Sequence, residues 1–171
     1  MSVANSGGSE DRDGQHDFDF LFGTWSVRHR RLRNPLTGST EWVEFGGGCT
    51  VWPLWGGRAN MDEVEFRDPR GTILGFTLRL YDPKTHLWSI YWASEKGSTD
   101  IGRPQIGRFQ DGLGEFYNHE VLGGRAIFVR FAWSQTGPDS SHWEQAFSED
   151  GGHTWEVNWI QELTREKGPS G

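Results

Sequence analysis

The chain has 171 residues, one cysteine and a formal net charge of −7, and its ten Trp and eleven Phe stand beside 24 Gly and seven Pro. A single cysteine excludes an internal disulfide, no apolar run approaches a signal h-region or a membrane span, and the acidic balance argues against nucleic acid, whose phosphates need a basic patch. One cytoplasmic domain is expected, large enough to bury a core without staples.

Residues 1–16, MSVANSGGSEDRDGQH, are polar and Gly/Ser-rich. They cannot offset the entropy of ordering and are expected to form a disordered tail, as are residues 166–171, leaving 17–165 as the folded domain. DFDFLFG, 17–23, is the one stretch with helical character, a turn or two in length. Strands are predicted at 24–33, 41–52, 59–67, 72–81, 87–94, 105–110, 114–121, 125–134, 142–147 and 154–164. Turn chemistry separates most of them: NPLTGS, DPRG, YDPKTH, FQDGLG, LGGR, QTGPDS and SEDGG. Ten short strands with short connections predict an all-β fold, a single antiparallel up-and-down meander. An open meander exposes two edges, whereas closure gives a barrel whose lumen holds one small ligand. Two places depart from a plain meander: VWPLWGG, 51–57, sets two Trp beside a Pro/Gly corner, and the connection 95–105 is long.

The opening Gly23-Thr24-Trp25, following a short helical turn, resembles the G-x-W signature of lipocalins and other calycins. Extended to DFDFLFGTWSVRHRRL, GSTEWVEF, TLRLYDPKTHLWSIYW, IGRFQDGLGEFY and WEQAFSEDGGHTWEVNWIQELTR, the chain is similar to a bacterial calycin-like family of unassigned function from Phe18 to Arg165. The resemblance implies a calycin-like β-barrel and brings no agreed reaction or catalytic residues. Some calycins, the nitrobindins, bind haem through a His and share the L-F-G-x-W opening, so the resemblance also implies haem as an alternative ligand. SEDGGHTW, 148–155, is similar to the Asp-box of sialidases and related propellers. Propellers repeat that box once per blade, and this chain has one copy, so the stretch reads as a hairpin turn and not as part of a glycosidase.

Pleat parity suggests which side chains face the lumen. The apolar faces are Leu74, Phe76, Leu78 and Leu80; Trp88, Ile90 and Trp92; Ile127, Val129, Phe131 and Trp133; Trp143 and Phe147; and Trp155, Val157 and Trp159. Polar residues on inward parities are the informative ones: His29 and Arg31 after Trp25 and Val27, Gln145 between Trp143 and Phe147, and Gln161 after Trp159. Along 114–121 the face of Tyr117, His119 and Val121 is preferred over Phe116, Asn118 and Glu120. The expected site is a cavity walled by Trp25, Trp88, Trp92, Phe131 and Trp159, with Arg31, Gln145 and Gln161 among its polar groups. It would take a small, largely apolar molecule, aromatic or polycyclic.

A second reading is a cofactor-free isomerase or cyclase, in which His29 and His119 act as acid and base and Tyr117 donates to a developing oxyanion. A third is a scaffold for a protein partner, with an exposed apolar patch near Trp52 and Trp55. Cys49, in GGGCT, lacks a neighbouring base and reads as a small buried hydrophobe. Asp62 and Glu63 fall on opposite faces of one strand and read as solvated or bonded to the basic stretch Arg28 to Arg33. The six His form no H-x-H or H-E-x-x-H pattern, so no metal site is expected, and no cofactor apart from the haem alternative. No membrane partner is expected, and both a monomer and a homodimer suit such a barrel.

Overall fold

A computed structural model describes residues 12–97 and 101–168. Ten antiparallel strands close into one barrel: β1 (Gly23–Leu32), β2 (Trp42–Leu54), β3 (Ala59–Asp68), β4 (Gly71–Asp82), β5 (Leu87–Ser94), β6 (Gln105–Gln110), β7 (Leu113–Leu122), β8 (Arg125–Gly137), β9 (Ser140–Ser148) and β10 (Glu156–Arg165). Each strand pairs with its neighbours in sequence, and the β1–β10 ladder, from Trp25↔Arg165 to Arg31↔Trp159, closes the ring. This is the predicted all-β up-and-down barrel. Closure leaves no continuous free edge. Among the described residues no helix is long and apolar enough to cross a membrane.

One end of the barrel is plugged. Residues Asp19–Leu21 form a 3-10 turn beneath the start of β1. The Trp25 indole N–H donates to the Leu21 carbonyl at 2.7 Å, while the Arg165 guanidinium stacks 4.2 Å from the centre of the Trp25 ring and donates to the Phe20 carbonyl at 2.8 Å. Phe18, Leu21, Trp25, Trp88, Phe109, Phe116 and Trp133 fill this end as one buried cluster. Rings of that size bury a large apolar area per residue, and part of the composition's aromatic excess is used here.

The chain ahead of the plug is also tied down. Residues 1–11 of the expected N-terminal tail lie outside the described residues, but Gly14 is placed: its N–H donates to the Tyr81 hydroxyl at 2.9 Å, and its carbonyl accepts from the Trp88 indole at 3.0 Å. At the other terminus the Glu166 N–H donates to the Thr24 carbonyl at 2.8 Å, and residues 169–171 lie outside the described residues.

The single Asp-box is a hairpin turn. Ser148 Oγ donates to Asp150 Oδ1 at 2.8 Å, Asp150 Oδ1 accepts the Thr154 N–H at 2.9 Å, and the Trp155 indole donates to the Gly152 carbonyl at 3.1 Å. Hydrogen bonds to its ionised form, first that of the Thr154 hydroxyl to Oδ2 at 2.6 Å, then those of the Thr154 N–H and the Ser148 hydroxyl, hold the Asp150 carboxyl well below the usual carboxylate range.

Three strands face differently from the parity expected of them. On β4 the inward residues are Thr77, Arg79 and Tyr81, and Leu74 and Phe76 are exposed on the outer surface. Apolar counting chose the wrong face, because Arg79 is neutralised by Asp62 of the next strand, so a buried charge costs less here than its residue type suggests. On β7 Phe116 and Asn118 pair with Phe131 and Val129 and share their inward face, which turns Tyr117 and His119 outward. On β10 the register shifts between Val157 and Trp159, so Asn158 is an extra residue. That bulge reverses the parity: Trp159, Gln161 and Leu163 face the lumen, while Trp155 and Val157 lie on the outside.

Candidate functional site: a tryptophan-walled lumen

Above the plugged end the barrel encloses a cavity of about 150 Å³. Its wall is built from facing strands: Trp92 of β5, Phe131 and Trp133 of β8, Trp143 of β9 and Trp159 of β10. The rings meet mostly edge to face, with centroids 5.0 Å apart for Phe131 and Trp143, 5.7 Å for Trp143 and Trp159, and 5.3 Å for Phe66 and Trp159. Edge-to-face contacts fix ring orientation and so keep the wall preformed.

The polar part of the wall was largely missed by sequence reasoning. Asp62 and Arg79 are both buried and form an ion pair at 2.8 Å; Arg79 Nη1 also donates to Asn60 Oδ1 at 3.0 Å, and Asp62 Oδ1 accepts the Thr77 N–H at 2.8 Å. The correction to Asp62 follows from register: Asn60 pairs with Arg79 and Asp62 with Thr77 across β3 and β4, so the groups are brought together by the ladder and not by any sequence motif. The guanidinium also lies 5.3 Å from the Phe18 ring and 5.5 Å from the Trp133 ring, which stabilises its charge between plug and cavity. Gln145 and Gln161 face the same space; Gln145 is held by donating to Asn158 Oδ1 at 2.9 Å, a partner supplied by the β10 bulge. Cys49 also lines the cavity, and burial pushes its thiol up to about 12, so it stays a neutral, poorly nucleophilic group.

The residues proposed as ligand contacts divide into three sets. Trp92, Phe131, Gln145, Trp159 and Gln161 line the cavity. Trp25 and Trp88 belong to the plugged core, each with its indole N–H spent on a backbone carbonyl, and do not line it. Arg31 sits at the opposite end, stacked 4.5 Å from the centre of the Trp159 ring.

The proposed acid/base residues do not converge. His29 is fully buried, but Phe45, Phe66 and Trp159 pack against it at centroid distances of 4.7, 5.0 and 5.9 Å, and it does not line the cavity. Its Nδ1 accepts the Trp159 indole N–H at 3.2 Å, which places the neutral ring's proton on Nε2. Nε2 has no partner, and burial lowers the imidazole to about 4. His119 lies outside against Phe128, and Tyr117 outside against Trp155, at centroid distances of 5.8 and 5.9 Å. The physical reason is the β7 register described above.

The side of the barrel is less tightly paired between β5 and β7 than elsewhere among the described residues. The β5–β6 ladder holds only three pairs, from Trp88↔Gly107 to Ile90↔Gln105, and β6 meets β7 no higher than Ile106↔Tyr117. Among the described residues the upper parts of β5 and β7 therefore have no ladder partner toward each other. A space of about 480 Å³ opens there, lined in part by Trp92, Gln105, Asn118, His119, Glu120 and Phe131, so His119, though turned out of the lumen, stands at this mouth; the space shares Ile90, Trp92, Phe131 and Gln145 with the cavity. Desolvation raises the Glu120 carboxyl above its ordinary range at this mouth. The unplugged end is partly roofed by the β1–β2 connection: the Leu36 N–H donates to Glu156 Oε1 at 2.8 Å, and Leu36 packs on the buried cluster of Ile127, Val129 and Phe147.

The chain matches no family model and no curated protein. Among solved structures it is similar to EF1p2_mFAP2b bound to DFHBI, at 13% identity with 89% of this chain and 98% of that chain covered and a TM-score of 0.47. It is also similar to a redesigned beta barrel, b11L5F_LGL, at 11% identity, with 89% and 96% covered and a TM-score of 0.47. Neither likeness is close enough to bear on what this chain binds.

Proposed function

We propose that this protein binds a small, largely apolar aromatic molecule in its lumen, admitted between β5 and β7. The observation that carries the reading is the preformed cavity of about 150 Å³ walled by Trp92, Phe131, Trp133, Trp143 and Trp159. An apolar cavity of that volume holds a molecule of about benzene size, so one ring fits inside and a polycyclic ligand must extend into the mouth. Polar atoms beside the rings, from Gln145, Gln161 and the neutral Asp62–Arg79 pair, favour an uncharged ligand with a hydrogen-bonding substituent.

The closed ten-strand meander, with Trp25 of the G-x-W locked to the plug, supports kinship with the calycins. The lumen does not suit haem: a macrocycle exceeds the cavity, His29 is sealed behind aromatic rings, and His119 stands at the lateral mouth and not in the lumen. The isomerase or cyclase reading has no favouring observation, since His29, His119 and Tyr117 do not share a site.

Native mass spectrometry of freshly purified protein against its denatured mass, followed by titration of single-ring aromatics with tryptophan fluorescence as readout, tests the reading. A co-purified species or saturable binding lost in Trp159→Ala supports it. An empty protein that binds none of the probes overturns it.

A further inference from the structure

The turns joining β1 to β2 and β3 to β4 enclose a second pocket of about 240 Å³, lined in part by Arg31, Arg33, Pro35, Val43, Phe45 and Arg70. Two of its three guanidiniums are committed. Arg70 grips Asp68 through Nε at 2.9 Å and Nη2 at 3.0 Å, and Arg33 Nε lies 3.1 Å from Glu41. Arg31 makes no ion pair among the described residues; what holds its guanidinium is the face of the Trp159 ring. The charges here are three cations against two carboxylates; Asp68, which also lines the pocket, attracts Arg31 but is gripped by Arg70, whose own charge repels Arg31, so the partly buried Arg31 keeps a charge that no ion pair neutralises. A guanidinium that has lost part of its hydration and formed no ion pair is poised to bind an oxyanion, and its planar fork suits a two-oxygen head group. Pro35, Val43 and Phe45 add an apolar wall beside it.

We propose that this rim pocket binds a small organic oxyanion, whose head group meets Arg31 and whose apolar part lies on Val43 and Phe45. The pocket is separate from the lumen: Phe45 lines the rim pocket, Trp159 lines the lumen, and neither residue lines both. The two sites meet at Trp159, whose ring walls the lumen and whose face carries the Arg31 guanidinium, so the rim pocket is tested with Arg31 and Arg70 variants and not with Trp159 variants.

Isothermal titration with benzoate, acetate and inorganic phosphate, at ionic strength matched with sodium chloride, tests it. Saturable one-to-one binding is expected, with benzoate tighter than acetate because of the apolar wall, and a stronger response to phosphate would assign the head group to phosphate esters. Arg31→Gln should weaken binding about tenfold or more. Arg28→Gln, on the outward face of the same strand, should leave it unchanged. Arg70→Gln, at an exposed side chain, frees Asp68 to neutralise Arg31 and should abolish binding even if Arg31→Gln fails to fold. Absence of saturable binding to the unaltered protein, or binding retained in either the Arg31 or the Arg70 variant, overturns the proposal.

Discussion

The Trp159 indole donates its N–H to Nδ1 of His29 at 3.2 Å, so a ring of the cavity wall is held in place by an imidazole that the cavity does not reach. The bond requires Nδ1 unprotonated. The fold selects the neutral ring, lowering it from 6.5 to about 4 through burial and then the charge of Arg31. Because the folded value is the lower one, the unfolded chain takes up the proton first as the pH falls. Stability should be complete above the unfolded value and decline by roughly 3 kcal/mol between pH 6.5 and about 4. Urea melts across that window should show the decline, and His29→Phe should flatten it. Asp68, held down to about 2 by its hydrogen bonds from Arg70, contributes its own loss only as the pH falls below the ordinary carboxylate value of 3.8.

Arg79→Met should destabilise the protein by roughly 3–5 kcal/mol, because it leaves Asp62 charged, buried and without its cation. The double variant Asp62→Leu, Arg79→Met should recover most of that loss. Chemical denaturation of the single and double variants checks both; a double variant no better than the single would mean that the hydrogen bonds to Asn60 and Thr77 matter more than the charges.

Trp88 and Trp92 lie on the same face of β5 and should respond differently to truncation. Trp88 is fully buried in the plugged core, and Trp88→Ala should cost roughly 3–5 kcal/mol of stability. Trp92 is 37% exposed at the lateral mouth, so Trp92→Ala should cost less in stability and more in aromatic-ligand affinity. Parallel melting and fluorescence titrations separate the two effects.

Leu36 adopts φ 62°, a conformation that disfavours a branched side chain, and is kept there by Glu156 and by its apolar packing. Glu156→Ala should release this roof while the ladder persists. Amide exchange at Leu36 should then accelerate by about tenfold or more, with little change at β4 or β8.

How much was legible in the sequence varied with the kind of signal. Strand positions were readable because each turn carries its own chemistry: Gly112, Gly123 and Gly151 all take positive φ between strands that were located to within a few residues. Inward faces were readable where the more apolar face is also the buried one, as for Ile127, Val129, Phe131 and Trp133 of β8, but on β4 the more apolar face of Leu74 and Phe76 lies outside because the Asp62 pair lets Arg79 face inward. They were not readable on β7, whose two faces are nearly balanced, nor on β10, where one bulge residue reverses the pattern.

Composition, turn spacing and alternation are local properties of the chain, and they were enough for an aromatic-rich antiparallel barrel entered through a short helical turn before the G-x-W. What the lumen contains depended on register. Arg79 and Asp62 belong inside because the β3–β4 register sets them side by side, where each cancels the desolvation cost of the other. His29 lies behind Trp159 because the ladder between β1 and β10, strands at opposite ends of the chain, sets Trp159 opposite Arg31; His119 and Tyr117 lie outside because the register of the β7–β8 hairpin turns their face outward, which the nearly balanced pattern of β7 does not encode.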